Sequence, residues 1–198
     1  MKILQVRQLI SNGPFPESPI ITRIFDEIRE AIASVKWPPG SSRFTLYPEK
    51  KRNGVKPIKN GCMQFLETKG WHLEKRVHLS SRMKPGKMDA VRELPDGRFF
   101  ALEWETGNIS SSHRALNKMA IGLLDGVLAG GVLVLPSRNM YRWLTDRVGN
   151  YDEIRPYFPI WECMSIADGV LAVVEIEHDD LSEHVPPIAK GTDGRALR

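Results

Sequence analysis

Two cysteines in 198 residues, Cys62 and Cys163, are too few and too far apart for a disulfide framework or a zinc site. Both are expected to behave as small buried apolar residues in a reducing compartment, so the cytoplasm is the expected location. No stretch approaches the roughly 20 apolar residues of a membrane span, and the residues up to Arg7 lack the apolar core of a secretion signal, so no membrane partner is expected. Charge of one sign is also scarce. Twenty-eight basic against 24 acidic residues leave +4, which agrees with an acidic partner such as nucleic acid without selecting one. Aromatics make up 8% and do not cluster, which weakens a sugar-binding reading. With no internal repeat and no compositional break, residues 1–198 are expected to form a single domain.

The most informative segment is Phe99-Phe100-Ala101-Leu102-Glu103-Trp104-Glu105, a strand-like apolar run ending in two carboxylates one residue apart. Side chains alternate along a strand, so Glu103 and Glu105 share a face, roughly 6.5–7 Å apart. The preceding residues 87–93 also alternate, and Pro95, Asp96 and Gly97 between the two favour a tight reversal. A loop over residues 95–97, closed by a left-handed glycine, sets Leu94 against Arg98 and Asp89 against Glu103. Like charges across a strand pair repel, so the cluster calls for a cation. Oxygen ligands of this kind suit Mg²⁺. A solvated charged strand end is the alternative.

Residues 18–36 carry a helical apolar stripe of Ile21, Ile24, Phe25, Ile28, Ile32 and Val35, with Ser18 as cap and Pro38, Pro39 and Gly40 as stop. Residues 41–60 are turn-rich and basic, with Lys56 and Lys59 either solvated or set against phosphate. A second helix is expected over residues 60–69, ended by Gly70, and a strand over residues 71–77. After Glu105, Asn108 and a run of serines cap a helix carrying Leu116, Met119, Ala120, Leu123 and Leu124. Gly130 and Gly131 are expected to close that unit before a strand over residues 132–136, parallel to the first. Ser137 should open a helix reaching about residue 149, and residues 170–176 should extend the sheet. The fold class is therefore α/β, a mixed central sheet flanked by helices.

An acid cluster beside a helix N-terminus combines two devices suited to phosphate, a metal ion and inward-pointing N–H groups. Phosphodiester hydrolysis uses both, with Asp89 and Glu103 holding metal and Glu105 as general base. Glycoside hydrolysis, which sets two acids across a sugar, is the weaker alternative.

The run from Glu103 through Thr106, Gly107, Asn108, Ile109, Ser110 and His113 to Arg114, followed by Asn117 and Lys118, resembles the signature of the BamHI-type type II restriction endonucleases. The resemblance continues through residues 53–59, 144–148 and 187–194, with Asn150, Glu153 and residues 156–158 between. It implies a restriction-endonuclease-like (PD-(D/E)xK) fold and a bacterial, homodimeric enzyme that cuts double-stranded DNA at GGATCC with Mg²⁺, up to two ions per site. A cognate DNA methyltransferase is expected in the host. It also adds Glu74 to Asp89, Glu103 and Glu105 as a second-metal or water-orienting acid, and gives the Trp104 carbonyl to the metal shell. Glu105 stands where most of the superfamily has lysine. Base reading falls on Asn108, Ser110, Arg114, Asp146 and Arg147, phosphate contact on Lys56 and Lys59, and an approach to the minor groove or backbone on residues 190–194. Arg suits guanine O6 and N7, and Asp can accept from cytosine N4. Without the resemblance, Asn108 and Ser110 read as helix caps, Arg114 as an exposed charge, and Asp146 with Arg147 as a surface ion pair. A binding-only relative without catalysis is the alternative to the nuclease.

Overall fold

The computed structural model describes residues 1–79, 86–145 and 148–190. An edge strand, β1 (Lys2–Asn12), leads into α1 (Pro19–Ser34), whose buried Ile21, Ile24, Phe25, Ile28 and Ile32 form the expected core stripe. A short β2 (Thr45–Leu46) precedes α2 (Lys56–Thr68). That helix begins four residues earlier than expected, because Pro57 fits a first turn where no N–H is needed. Gly70 ends the unit with φ +84°.

The strand expected over residues 71–77 is broken. It forms β3 (His72–Leu73) and β4 (Arg76–Val77), separated at Glu74, a non-glycine residue with φ +50°. β5 (Gly86–Lys87) pairs with β4, and β6 (Ala90–Glu93) with β7 (Phe99–Trp104). The β6–β7 register, Ala90↔Leu102 to Glu93↔Phe99, is the one the turn chemistry gives, with Leu94 N–H donating to Arg98 O at 2.9 Å and Gly97 at φ +83°. α3 (Ile109–Leu124) crosses back to β8 (Leu128–Pro136), which lies parallel to β7.

Two expectations fail here. Gly130 and Gly131 lie inside β8, where a Cβ would fall 2.3 Å from the Phe100 ring and 2.6 Å from Met119 Sδ. They are glycines because side chains from opposite faces press against the strand, not because the chain turns. The helix after Ser137 is only α4 (Arg138–Tyr141); Leu144 then bridges to Asn53. Two further short helices, α5 (Tyr151–Ile154) and α6 (Phe158–Glu162), precede β9 (Gly169–Glu177) and β10 (Asp180–Leu181).

The sheet runs β1-β9-β8-β7-β6-β3, parallel through its centre and antiparallel at both sides. Alternation assigns its faces. Phe100, Leu102 and Trp104 pack with Ile24, Ile28, Ile58 and Leu66 of α1 and α2. Ala101, Leu133 and Val173 pack with Leu116 and Met119 of α3 and Trp161 of α6. Cys62 is buried, its thiol pushed up to about 12 by desolvation, whereas Cys163 is exposed, against expectation. No helix among the described residues is long and apolar enough to cross a membrane.

Candidate active site

The acids gather at the end of β7. Asp89 lies one residue before β6, and its Oδ2 accepts the Trp104 N–H at 2.8 Å, which fixes it beside the neighbouring strand. Glu103 lies on the face of β7 opposite Leu102 and Trp104. Glu105 follows the strand, its N–H donating to Val134 O at 3.0 Å. Glu74 is tied in by its backbone, which donates to Asp89 O at 3.1 Å. Asp89, Glu103 and Glu105 line a cleft of about 400 Å³, together with Lys59, Arg114 and Lys118.

Each acid already has partners. Lys59 Nζ pairs with Asp89 Oδ1 and lies 3.9 Å from Glu74 Oε1, while Lys87 Nζ lies 3.5 Å from Glu74 Oε2. Lys118 pairs with Glu103 Oε1. Glu105 Oε1 accepts the Gly107 N–H at 2.6 Å, and Oε2 accepts the hydroxyl of the buried Ser112. Burial pushes the Glu103 carboxyl up to about 7, with Asp89 adding to the shift and Lys118 and Lys59 opposing it. Burial likewise raises Glu105 against the donors from Ser112, Gly107 and Thr106. Among the described residues no three acids, imidazoles or thiols converge as a ready-made cation shell. The lysine ammoniums stand between them instead. Three carboxylates lining one cleft nonetheless fit a hard cation, which takes oxygen ligands.

The helix beyond the acids carries more of the expected set. Asn108 caps α3, its Oδ1 accepting from Ser110 N at 3.0 Å and Ser111 N at 3.3 Å, and is itself exposed. Arg114 is exposed at the cleft wall, its Nη2 3.4 Å from Ser111 Oγ. Lys56 is exposed at the start of α2, whereas Lys59, one turn on, reaches the acids. Asp146 and Arg147 lie outside the described residues, as do residues 191–194. Among the neighbouring described residues, Thr145 N–H donates to Asn53 O and Gly149 N–H to Gly107 O, each at 2.8 Å.

Sequence reasoning missed three residues of this neighbourhood. Buried Asn53 binds three segments at once, donating to Tyr47 O and Trp143 O at 2.9 Å and accepting from Ile188 N at 3.2 Å. Ser112 was masked by its place in a serine run. Lys118 stands four residues after Arg114, a spacing that puts both on one helix face.

A mixed sheet with helices on both faces and acids at the end of its central strands is the fold of the restriction endonucleases. A crystal structure of restriction endonuclease BglII complexed with a DNA 16-mer shares it with a TM-score of 0.66 at 11% identity, over 90% of this chain and 79% of that one. The family model described as restriction endonuclease BamHI matches residues 1–195. The type II restriction enzyme OkrAI of Oceanobacter kriegii is 54% identical over 198 residues, the whole of both chains. BamHI of Bacillus amyloliquefaciens is 34% identical over 186 residues, covering 90% of this chain and 85% of that enzyme. The chain belongs to the BamHI restriction endonuclease family and is a type II site-specific deoxyribonuclease.

Proposed function

We propose that residues 1–198 form one domain of a homodimeric, Mg²⁺-dependent endonuclease that cuts double-stranded DNA within GGATCC, leaving 5′-phosphate ends. The observation that carries the reading is the set of Asp89, Glu103 and Glu105 in one cleft, the last two buried, facing the capped start of α3. Asp89, Glu103, the Trp104 carbonyl and, for a second ion, Glu74 would hold the metal. When bound, it would lower the pKa of its water and shield charge on the phosphate oxygens.

The chain's own groups supply the remainder. Glu105, immobilised by Ser112 and Gly107, accepts the proton of the attacking water. The new P–O bond forms as the bond to the 3′ oxygen breaks, and that oxygen leaves as a hydroxyl after taking a proton from solvent. Asn108, Ser110, Arg114, Asp146 and Arg147 read base edges in the major groove, Lys56 and Lys59 contact phosphate, and residues 190–194 approach the minor groove or backbone. A palindrome requires a two-fold dimer. Exposed Leu124 at the end of α3 and Tyr157 and Ile160 at α6 offer apolar surface for it. The enzyme acts in the bacterial cytoplasm, where a methyltransferase of matching specificity would protect host DNA. The DNA in the BglII complex supports a DNA-binding cleft on this fold.

Digestion of a plasmid bearing one GGATCC site, with Mg²⁺ or EDTA and with the cut ends sequenced, tests the reading. Linear product only with metal, cut within that palindrome, is expected, and Glu105→Ala should abolish it. Cuts elsewhere would overturn the base-reading assignments. An intact plasmid beside tight specific binding would leave a binding protein without catalysis.

A further inference from the structure

Lys118 lies on α3, beyond the turn that carries Arg114, and its side chain is only 18% exposed. A lysine ammonium withdraws from water to this extent when an anion meets it. Here its Nζ pairs with Glu103 Oε1 and donates to the Lys87 carbonyl at 3.0 Å. On the other side of the cleft Lys59, 17% exposed, takes Asp89 in the same way from α2. The two carboxylates best placed to hold a cation are thus each covered by an ammonium delivered from a different helix. The positive charge that a divalent ion would bring is already present, divided between two monocations.

A purely structural ion pair would account for the pairing but not for its location. Buried structural pairs persist where further hydrogen bonds satisfy their remaining lone pairs and protons. The Lys118–Glu103 pair instead sits in the wall of the cleft, beside Asp89 and Glu105. An oxygen paired with a single ammonium at the cleft wall can be ceded to a stronger charge.

We propose that Lys118 is the exchange partner of the metal: its ammonium neutralises Glu103 in the free enzyme and has to leave that oxygen before a divalent cation can bind there. The inference rests on the nuclease reading and adds to it a residue that sets cation affinity. Cation loading of the DNA-free enzyme is then weak, because each ion must displace an ammonium. A DNA phosphate entering the cleft gives the released ammonium another anion and so favours loading. Arg114 and Lys118 share one helix, so the element placed to meet bases also carries the group that yields to the metal.

The test is isothermal titration of the DNA-free protein with Mn²⁺, comparing wild type with Lys118→Met, which keeps the stem and removes the charge. Affinity should rise about tenfold, as expected when a competing charge beside the site is removed. Adding Glu103→Gln to that variant should abolish the gain. Affinity in Lys118→Met equal to or below that of wild type, including binding measurable in neither, overturns the proposal. Circular dichroism checks the fold, and Lys118→Gln serves with the same criteria if the methionine variant does not fold. Failure of the nuclease reading looks different: wild type with Mg²⁺ would leave DNA intact whatever Lys118→Met does to cation affinity.

Discussion

Gly149 donates its N–H to the carbonyl of Gly107 at 2.8 Å, joining the residues just before α5 to the turn that holds Glu105. Gly107 N–H in turn donates to Glu105 Oε1 at 2.6 Å. A Cβ at residue 149 would fall 2.6 Å from Ser112 Oγ, the other donor to Glu105, and 3.3 Å from the backbone of Ile109. Gly149→Ala should therefore displace Glu105 without touching it. Single-turnover cleavage should slow by about 10- to 100-fold, as misplacement of a reacting group by about 1 Å can do. Far-ultraviolet circular dichroism should show the fold retained.

Removing the Ser112 hydroxyl isolates one side of the same clamp. Ser112→Ala leaves Glu105 Oε2 buried with one donor fewer, at a cost of about 1–3 kcal/mol. The cleavage rate constant should fall while specific DNA binding, measured with Ca²⁺ in place of Mg²⁺, stays within about twofold, a change well under 1 kcal/mol.

Glu103 gives a pH signature in EDTA. Burial, then Asp89, raise its carboxyl from 4.5 in the unfolded chain to about 7, so the folded state binds this proton more tightly. The stabilising contribution is complete below the unfolded value and is lost as pH rises through the folded one. Between about pH 4.5 and 7 the unfolding free energy of wild type should decline relative to Glu103→Gln, by on the order of 1–3 kcal/mol. Urea denaturation of both proteins across that range would show it, and parallel curves would refute it.

The glycine pair in β8 separates rigid from yielding neighbours. Gly130→Ala drives a methyl into the Phe100 ring at 2.3 Å, in the middle of an aromatic cluster with Phe15, Phe25 and Trp71. A loss of about 1–3 kcal/mol in urea denaturation is expected. Gly131→Ala meets Met119 at 2.6 Å, a flexible side chain that can turn aside, so its loss should be smaller.

Lys56 is exposed at the head of α2, one turn before Lys59, which engages the acids. If it contacts phosphate, Lys56→Ala should weaken cognate and non-cognate DNA alike and lower the slope of log affinity against log salt by about one. Fluorescence anisotropy at several salt concentrations would measure it, and an unchanged slope would remove Lys56 from the interface.

The acid hairpin was legible because every signal in it is local. Alternation placed Glu103 and Glu105 on one face, the Pro-Asp-Gly turn fixed the register, and Asn108 capped α3 as its chemistry requires. β1 escaped because it is an edge strand with eight of its 11 residues exposed, leaving little apolar alternation to see. Gly130 and Gly131 were mistaken for a boundary because their purpose, room for Phe100 and Met119, lies in residues distant along the chain. The helix after Ser137 was drawn too long since nothing local announces the bridge from Leu144 to Asn53. Glu74 came from family resemblance alone. Its left-handed backbone breaks the alternation that spacing arguments need.

The pairing of β1 with β9 sets an order of events in time. Lys2 pairs with Glu177 and Asn12 with Gly169, so the first strand stays without its neighbour until nearly the whole chain has left the ribosome. By contrast β6, β7, α3 and β8 are contiguous and close over short loops, whose entropy cost is low. The strands that carry the acids can thus assemble early, while the border that seals the sheet must wait. A nascent chain stalled before β9 would hold the chemistry in outline but not the frame that makes it a stable enzyme.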